Sequence, residues 1–331
     1  MSRQRRIEGL RVGTARAAKG QVVRGELRLG DFPDAPIVSP VMIAAGRRQG
    51  PVLWVQGCVH GTEVGGPLGI VRFLKGLDLS QLSGAIVGVM LANPNAFRLY
   101  SRSTPLDGEN LNRVFPGARN AGHSYQAADL LMRTAHKVAD AVLDLHSGGD
   151  RSHVPYYALY RDDGSETSRQ AARLARSAGS PDVWGSKDAW LSGAMFTHMT
   201  SRGVPGLIVE CGGAAQVPEE HIDSFVTAIR GVAQAMGIVP GAPPTHPRYR
   251  HMDTAELVYT DGGGLFLPAV AAGDVVRKGQ ALGQVVDLYG DVVETVTSPI
   301  DDGWIGSIRR RYMPVYSGDI VSEVMHIVED R

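Results

Sequence analysis

What the chain has little of narrows its reading first. Two cysteines, Cys58 and Cys211, in 331 residues cannot build a disulfide framework. No stretch reaches the ~18 consecutive apolar residues of a membrane-spanning helix. The N-terminal "MSRQRRIEGLRVG" has no apolar core of a secretory signal. Together these absences lead us to expect a reduced, cytoplasmic protein with no membrane partner. Neither sign of charge is in excess, with 34 Lys+Arg against 34 Asp+Glu, so no nucleic-acid partner is expected. The short basic run "RQRR" reads as a solvated chain end.

What is there is the composition of a globular protein, 43% hydrophobic and 21% charged. The length suffices for one large domain and a smaller one. Residues 1–50 carry short alternating runs, "QVVRGELRLG" and "PIVSPVMIAAG", expected to form a β segment that packs on the domains. From residue 51 nearly continuous apolar runs appear, "PVLWVQGCV", "AIVGVMLAN", "AVLDLHS" and "GLIVECGG", as in strands buried on both faces. Helical patterns alternate with them: "EVGGPLGIVRFLKGL", "SYQAADLLMRTAHKVAD", "SETSRQAARLARSAG" and "PEEHIDSFVTAIRGVAQAMG". This alternation predicts an α/β fold with a mixed, largely parallel sheet flanked by helices over residues 51–240. Four prolines in "GIVPGAPPTHPRYR", 237–250, mark a linker. The glycine- and valine-rich remainder reads as a small all-β domain, 241–331.

The chemistry-bearing residues stand at strand ends. His60 and Glu63 follow "LWVQGCV", His146 ends "AVLDLH", and Glu210 ends "GLIVE". In open α/β sheets the crevice beyond the carboxyl ends of the strands is where ligands bind. Spacing alone proves little, because twelve glutamates and ten histidines give a chance His-x-x-Glu roughly one time in three. His326 and Glu329 have the same spacing without a third partner, and read as a solvated pair. Two histidines and a carboxylate are a standard catalytic zinc set, and zinc can bring the pKa of water to about 7. A further carboxylate is then needed to carry the proton, and Glu210 is the candidate. Arg102, Asn112 and Arg113 lie in "SRSTPLDGENLNRVFPG", where arginines could grip a carboxylate or an oxyanion.

The motifs "HGTE", "NPNAF", "DGENLNRVFPG", "DLHSGG" and "VECGG" occur in order over roughly residues 50–240. Together they resemble the succinylglutamate desuccinylase/aspartoacylase family of zinc-dependent deacylases, relatives of the metallocarboxypeptidases. The resemblance implies a zinc carboxypeptidase-like fold and one Zn²⁺ per chain on His60, Glu63 and His146. It implies Glu210 as general base and acid, Asn112 and Arg113 as the carboxylate-binding pair, and Arg102 as the residue polarising the scissile carbonyl. The gap from Arg102 to Asn112 is longer than in aspartoacylase itself. A C-terminal tyrosine often completes the family's substrate site, and Tyr289, Tyr312 and Tyr316 are all open for that role.

The C-terminal runs "AGDVVRKGQALGQVVD" and "SPIDDGWIG" look like a barrel-sandwich hybrid of the biotinyl or lipoyl carrier type. The corresponding turn, "DLYGDVVE", lacks a lysine, so a structural cap over the cleft is expected. Cys58 and Cys211 are read as strand-end packing, with extra ligands the alternative, and Trp184 and Trp190 as core, with a pocket wall the alternative. His153, in "DRSHVPYY", could line the pocket. The leading expectation is a zinc-dependent hydrolase removing an N-acyl group from a small amino-acid-like substrate. A carboxypeptidase acting on a peptide C-terminus and an inactive metal-binding or regulatory protein are the rivals. Nothing in the sequence sets the oligomeric state, and a homo-oligomer is compatible with it.

Overall fold

The computed structural model describes residues 7–328. "RQRR" and Glu329 lie outside them. Twelve strands form one sheet, in the order Val275–Val276, Gly303–Arg309, Ile320–Val328, Arg250–Tyr259, Asp182–Ser186, Ser152–Arg161, Gly206–Gly213, Ala141–His146, Arg48–Gly57, Ser83–Val89, Pro36–Ala45, Gln21–Asp31. The four apolar runs of the sequence are all strands of this sheet. Their parallel core runs from Gly206–Gly213 through Ala141–His146 and Arg48–Gly57 to Ser83–Val89.

Continuous apolar sequence is explained by burial on both faces. Val52, Trp54 and Val142 face a core shared with Leu131 and Ala135 of helix His123–Val138 and Met195 and Met199 of helix Met195–Ser201. Leu53, Val55, Leu143 and Leu145 face the opposite core. There they meet Ile70 and Phe73 of helix Gly65–Lys75, Leu174 of helix Glu166–Arg176, and Phe225 and Ile229 of helix Glu219–Ala235. The four helices expected from periodicity are present. Met195–Ser201 was not foreseen, because seven residues give the 3.6 period too little length to declare itself.

Two expectations change. The sheet is mixed, and "largely parallel" describes only its core. Both ends are antiparallel, as is the pairing of Gly206–Gly213 with Ser152–Arg161. Sequence could not show this, since an apolar run has no direction. Strands from outside 51–240 also enter the same sheet. Gln21–Asp31 and Pro36–Ala45 form one edge, and Arg48–Gly57 spans the expected boundary at residue 50.

At the other end, Arg250–Tyr259 pairs in parallel with Asp182–Ser186 and carries Ile320–Val328 and Gly303–Arg309 beside it. Gly303–Arg309 then pairs back onto the start of Ser152–Arg161, through Ile308 with His153 and Arg309 with Ser152. Five strands therefore close a circuit. Tyr157, Trp184, Trp304, Met252 and Met325 pack within one buried cluster there. The remaining C-terminal strands, Gly264–Pro268, Ala281–Val286, Val292–Thr297 and Met313–Val315, make a separate four-stranded sheet. The C-terminal region is thus β throughout, but divided between two sheets.

Candidate active site

His146 ends its strand in parallel register with Glu210 on the next, and Glu210 has Tyr157 as its partner on the other side. His60 and Glu63 arrive from the turn after Arg48–Gly57, whose Gly57 pairs with Leu145. Gly61 in that turn has no room for a side chain: a Cβ would run into the backbone of Ala96. This fixes "HGTE" against "NPNAF". Cys58, left-handed at φ 50°, donates its thiol to the carbonyl of Glu63 at 3.3 Å. Burial pushes that thiol up, with the Glu63 charge adding to the effect, so Cys58 is a structural donor in the turn that carries His60 and Glu63. Cys211 is also buried and unpaired, its thiol pushed by burial up to about 11.

The Glu63 carboxylate sits between two imidazoles, 2.8 Å from His60 Nδ1 and 2.9 Å from His146 Nδ1. All three side chains are buried, and one ligand atom from each lies within 4.8 Å of the others. Burial by itself would raise Glu63, but the charges and hydrogen bonds of both histidines outweigh it and hold the carboxyl below its usual range. Burial, helped by Arg102, lowers His60 to about 4, the neutral form a metal ligand needs. For His146 burial acts downward too, yet Asp144 and Glu63 raise it well above the ordinary value.

Each histidine is held from behind. His60 Nε2 lies 3.0 Å from Asn110 Oδ1, which also accepts the Asn112 N–H at 2.9 Å as cap of the short 3₁₀ turn Leu111–Arg113. His146 Nε2 lies 3.2 Å from Asp144 Oδ2. Asp144 Oδ2 in turn accepts from Gln56 Nε2 at 3.0 Å, and Gln56 Oε1 accepts from Trp54 Nε1 at 2.9 Å. The chain Trp54–Gln56–Asp144–His146 is buried throughout. Alternation puts residues 54 and 56, and 144 and 146, on one face, and the register sets Gln56 beside Asp144. Two imidazoles and a carboxylate, with the second imidazole nitrogens facing oxygen acceptors, fit zinc by donor type and by orientation. Sequence reasoning missed Asn110 and Asp144, although both stand inside quoted motifs. An Asx residue capping a turn and an acid two before a strand-end histidine were the available signals.

The pocket over this cluster is a cavity of about 180 Å³, reached by Arg102, Asn112, Arg113 and Glu210 as well as the histidines. Arg102 leans on the cluster, its Nη1 3.6 Å from Glu63 Oε1 and 3.5 Å from His60 Nδ1. Arg113 donates to the carbonyl of Asn112 at 2.9 Å and stacks over Trp190 at 5.2 Å. Burial, then the charge of Arg102, lowers its pKa from the ordinary arginine value. Several polar atoms here are buried without a protein partner, among them Glu210 Oε2, Asn112 Oδ1 and Trp190 Nε1. Buried orphans are rare in native proteins and mark positions for a ligand or water. Burial, opposed by His146 and assisted by Glu63, pushes the Glu210 carboxyl up to about 8.

The sequence-expected residues therefore come together: His60, Glu63, His146, Glu210, Arg102, Asn112 and Arg113 all line one cavity. Trp184 and Trp190 form part of its wall as well as packing. Tyr289, Tyr312 and Tyr316 do not line it and are exposed. The tyrosine in the wall is Tyr157, buried beside Glu210. His153 is exposed and outside the lining. His326 pairs with Glu256 at 3.5 Å, away from the cavity. The closed circuit brings Ser307, Arg309, Ile320 and Glu323 into the wall. No helix among the described residues is long and apolar enough to cross a membrane.

A family model for the succinylglutamate desuccinylase/aspartoacylase catalytic domain matches residues 49–236. The N-alpha-acetyl-L-2,4-diaminobutyric acid deacetylase of Halomonas elongata is 28% identical over 298 residues, 88% of this chain and 87% of the relative. The product-bound ectoine utilization protein EutE (DoeB) of Ruegeria pomeroyi matches with a TM-score of 0.82 at 23% identity, over 92% of this chain and 94% of that one. A succinylglutamate desuccinylase/aspartoacylase of Rhodobacter sphaeroides matches with a TM-score of 0.82 at 24% identity, over 93% and 96%. At these identities the two solved structures speak for a shared fold.

Proposed function

The chain belongs to the succinylglutamate desuccinylase/aspartoacylase family, and on that premise we propose that it is a zinc-dependent hydrolase removing an N-acyl group from a small amino-acid-like substrate. The observation that carries this reading is the arrangement around the cavity. A buried His60–Glu63–His146 cluster, a Glu210 carboxylate whose Oε2 has no partner, and the Arg113 guanidinium share one small space. The curated relative deacylates an N-acetylated diamino acid, by its name, which supports the substrate class.

His60, Glu63 and His146 would hold one Zn²⁺ per chain. Bound there, zinc supplies a Lewis acid that acidifies water and polarises a carbonyl. Arg113, with Asn112 beside it, grips the substrate's free carboxylate and so positions the amide over the cluster. Glu210 accepts the proton of the attacking water on its free carboxylate oxygen and returns it to the departing amine nitrogen. A carboxyl raised toward neutral pH suits both halves of that transfer. Arg102 faces the scissile oxygen and offsets its developing negative charge. Tyr157, buried beside Glu210, restricts water around the carboxylate.

The size of the cavity favours this substrate over a peptide. About 180 Å³ falls below the roughly 300–1,000 Å³ of pockets for drug-sized ligands, and four residues of the C-terminal strands close one wall. The deciding assay incubates zinc-loaded protein with N-acyl amino acids and with dipeptides. Release of free amino acid from the first panel and not the second is expected. Cleavage confined to dipeptides would make it a carboxypeptidase, and no cleavage of either panel would remove the enzymatic reading.

A further inference from the structure

The mechanism above leaves two carboxylates of the cavity without a task, Asp150 and Glu323, and only Glu323 comes from the C-terminal strands. Glu323 lies on Ile320–Val328, paired with Ser307 on one side and Leu257 on the other. The register against Arg250–Tyr259 slips at Val321, so that Ile320 and Glu323 both reach the cavity. Among the described residues no hydrogen bond or ion pair holds the Glu323 carboxylate. The guanidiniums that could neutralise it are engaged elsewhere. Arg309 is bound to Asp319 at 2.7 Å and to the carbonyl of Ile320 at 2.7 Å. Arg102 leans on Glu63, and Arg113 is held by the Asn112 carbonyl and the Trp190 ring.

A carboxylate in this position is costly to keep unless something cationic meets it. The same cavity has apolar walls from Leu159, Trp184, Leu191 and Ile208. Burial raises the Glu323 carboxyl above the ordinary value, and the more distant charges of Arg102, Arg113 and Arg309 only partly oppose this. Asp150, the remaining acid in the lining, sits in the turn after His146 and is not on the C-terminal strands. Among the described residues the cavity therefore carries the guanidiniums of Arg102, Arg113, Arg151 and Arg309, of which Arg113 is the one assigned above to the substrate's carboxylate, and its C-terminal wall adds one carboxylate with no partner, Glu323, apart from the proton-transfer group Glu210.

We propose that Glu323 is a specificity-determining residue that binds an ammonium group on the side chain of the substrate, so that the enzyme prefers N-acylated amino acids carrying a basic side chain. This rests on the deacylase reading of the same site. Arg113 takes the α-carboxylate and Glu323 the distal cation, and the acyl amide is left over the metal cluster between them. An anionic side chain in the same place meets like charge. The diamino-acid substrate in the name of the Halomonas relative has the required pair of charges.

The test uses zinc-loaded wild type and Glu323→Gln, which keeps the shape and removes the charge. Substrates are N-α-acetyl-2,4-diaminobutyrate, N-α-acetylornithine, the neutral N-acetylnorvaline and the anionic N-acetylaspartate. Wild type should favour one of the two basic substrates over norvaline by about tenfold to a hundredfold in kcat/KM. E323Q should lose that preference while keeping its rate on N-acetylnorvaline. A wild-type enzyme that favours the neutral or anionic substrate overturns the proposal. So does an E323Q variant slowed equally on every substrate, since that would show Glu323 only positioning the arginines. If no substrate is hydrolysed, the deacylase reading itself fails. Calorimetric binding of free 2,4-diaminobutyrate against norvaline, to wild type and to E323Q, then still reads the Glu323 contact. Equal binding of both amino acids overturns it.

Discussion

His146 and Glu210 are register partners on adjacent parallel strands, Ala141–His146 and Gly206–Gly213. A candidate metal ligand and a candidate proton carrier are therefore fixed side by side by backbone hydrogen bonds, not by loop conformation. The same face of the sheet carries Gln56 and Asp144 below them. Catalytic groups on rigid strands hold geometry better than groups on loops.

The candidate ligand cluster His60–Glu63–His146 predicts stoichiometry and its dependence on support. Purified wild type should bind one zinc per chain, and His146→Ala should bind none at the same site, both read by elemental analysis. Asp144→Asn should keep the fold but weaken zinc affinity about 10–100-fold, measured by competition with a chromophoric chelator. Unchanged affinity would show that the Trp54–Gln56–Asp144 chain does not orient His146.

Glu210→Gln should retain zinc and lose about 10²–10⁴ in kcat, the usual size of a general acid–base contribution. Retained turnover in this variant would remove Glu210 from the proton path.

Arg102→Ala should lower kcat by about 10²–10³ with zinc still bound. Its Nη1 already stands 3.6 Å from Glu63. A change confined to KM would reassign Arg102 to substrate binding.

Arg113→Lys should raise KM by roughly tenfold or more with little change in kcat. A lysine cannot reproduce the bidentate fork or the stacking on Trp190 at 5.2 Å. A loss of kcat at constant KM would contradict the carboxylate-gripping role.

The raised Glu210 carboxyl has a consequence for stability in metal-free protein. Its ordinary value of 4.5 is pushed to about 8 by burial, so the folded state holds this proton more tightly than the unfolded chain. The associated stability is full below pH 4.5 and is lost as pH rises through about 8. Chelator-treated E210Q should therefore match wild type near pH 4 and exceed it near pH 9 by a few kcal/mol, at about 1.4 kcal/mol per unit. Urea unfolding at the two pH values measures this, and a pH-independent difference would count against it.

Much of the site was legible in the sequence because of how strands end. An apolar run followed at once by His60, His146 or Glu210 states that a polar group leaves a buried sheet, and ordered motifs identified which ones converge. The double-faced cores made the apolar runs continuous, and so the strands readable. What the sequence could not state was pairing. Strand direction, the antiparallel insertion of Ser152–Arg161 and the return of Gly303–Arg309 onto it depend on contacts between residues from 47 to 157 positions apart. No local period encodes such contacts. For that reason the tertiary structure alone decided that Tyr157, not an exposed C-terminal tyrosine, stands beside Glu210. It also decided that Asn110 and Asp144 hold the histidines from behind. Glu323, one charge in an ordinary β run, became part of the cavity only when its strand closed the circuit.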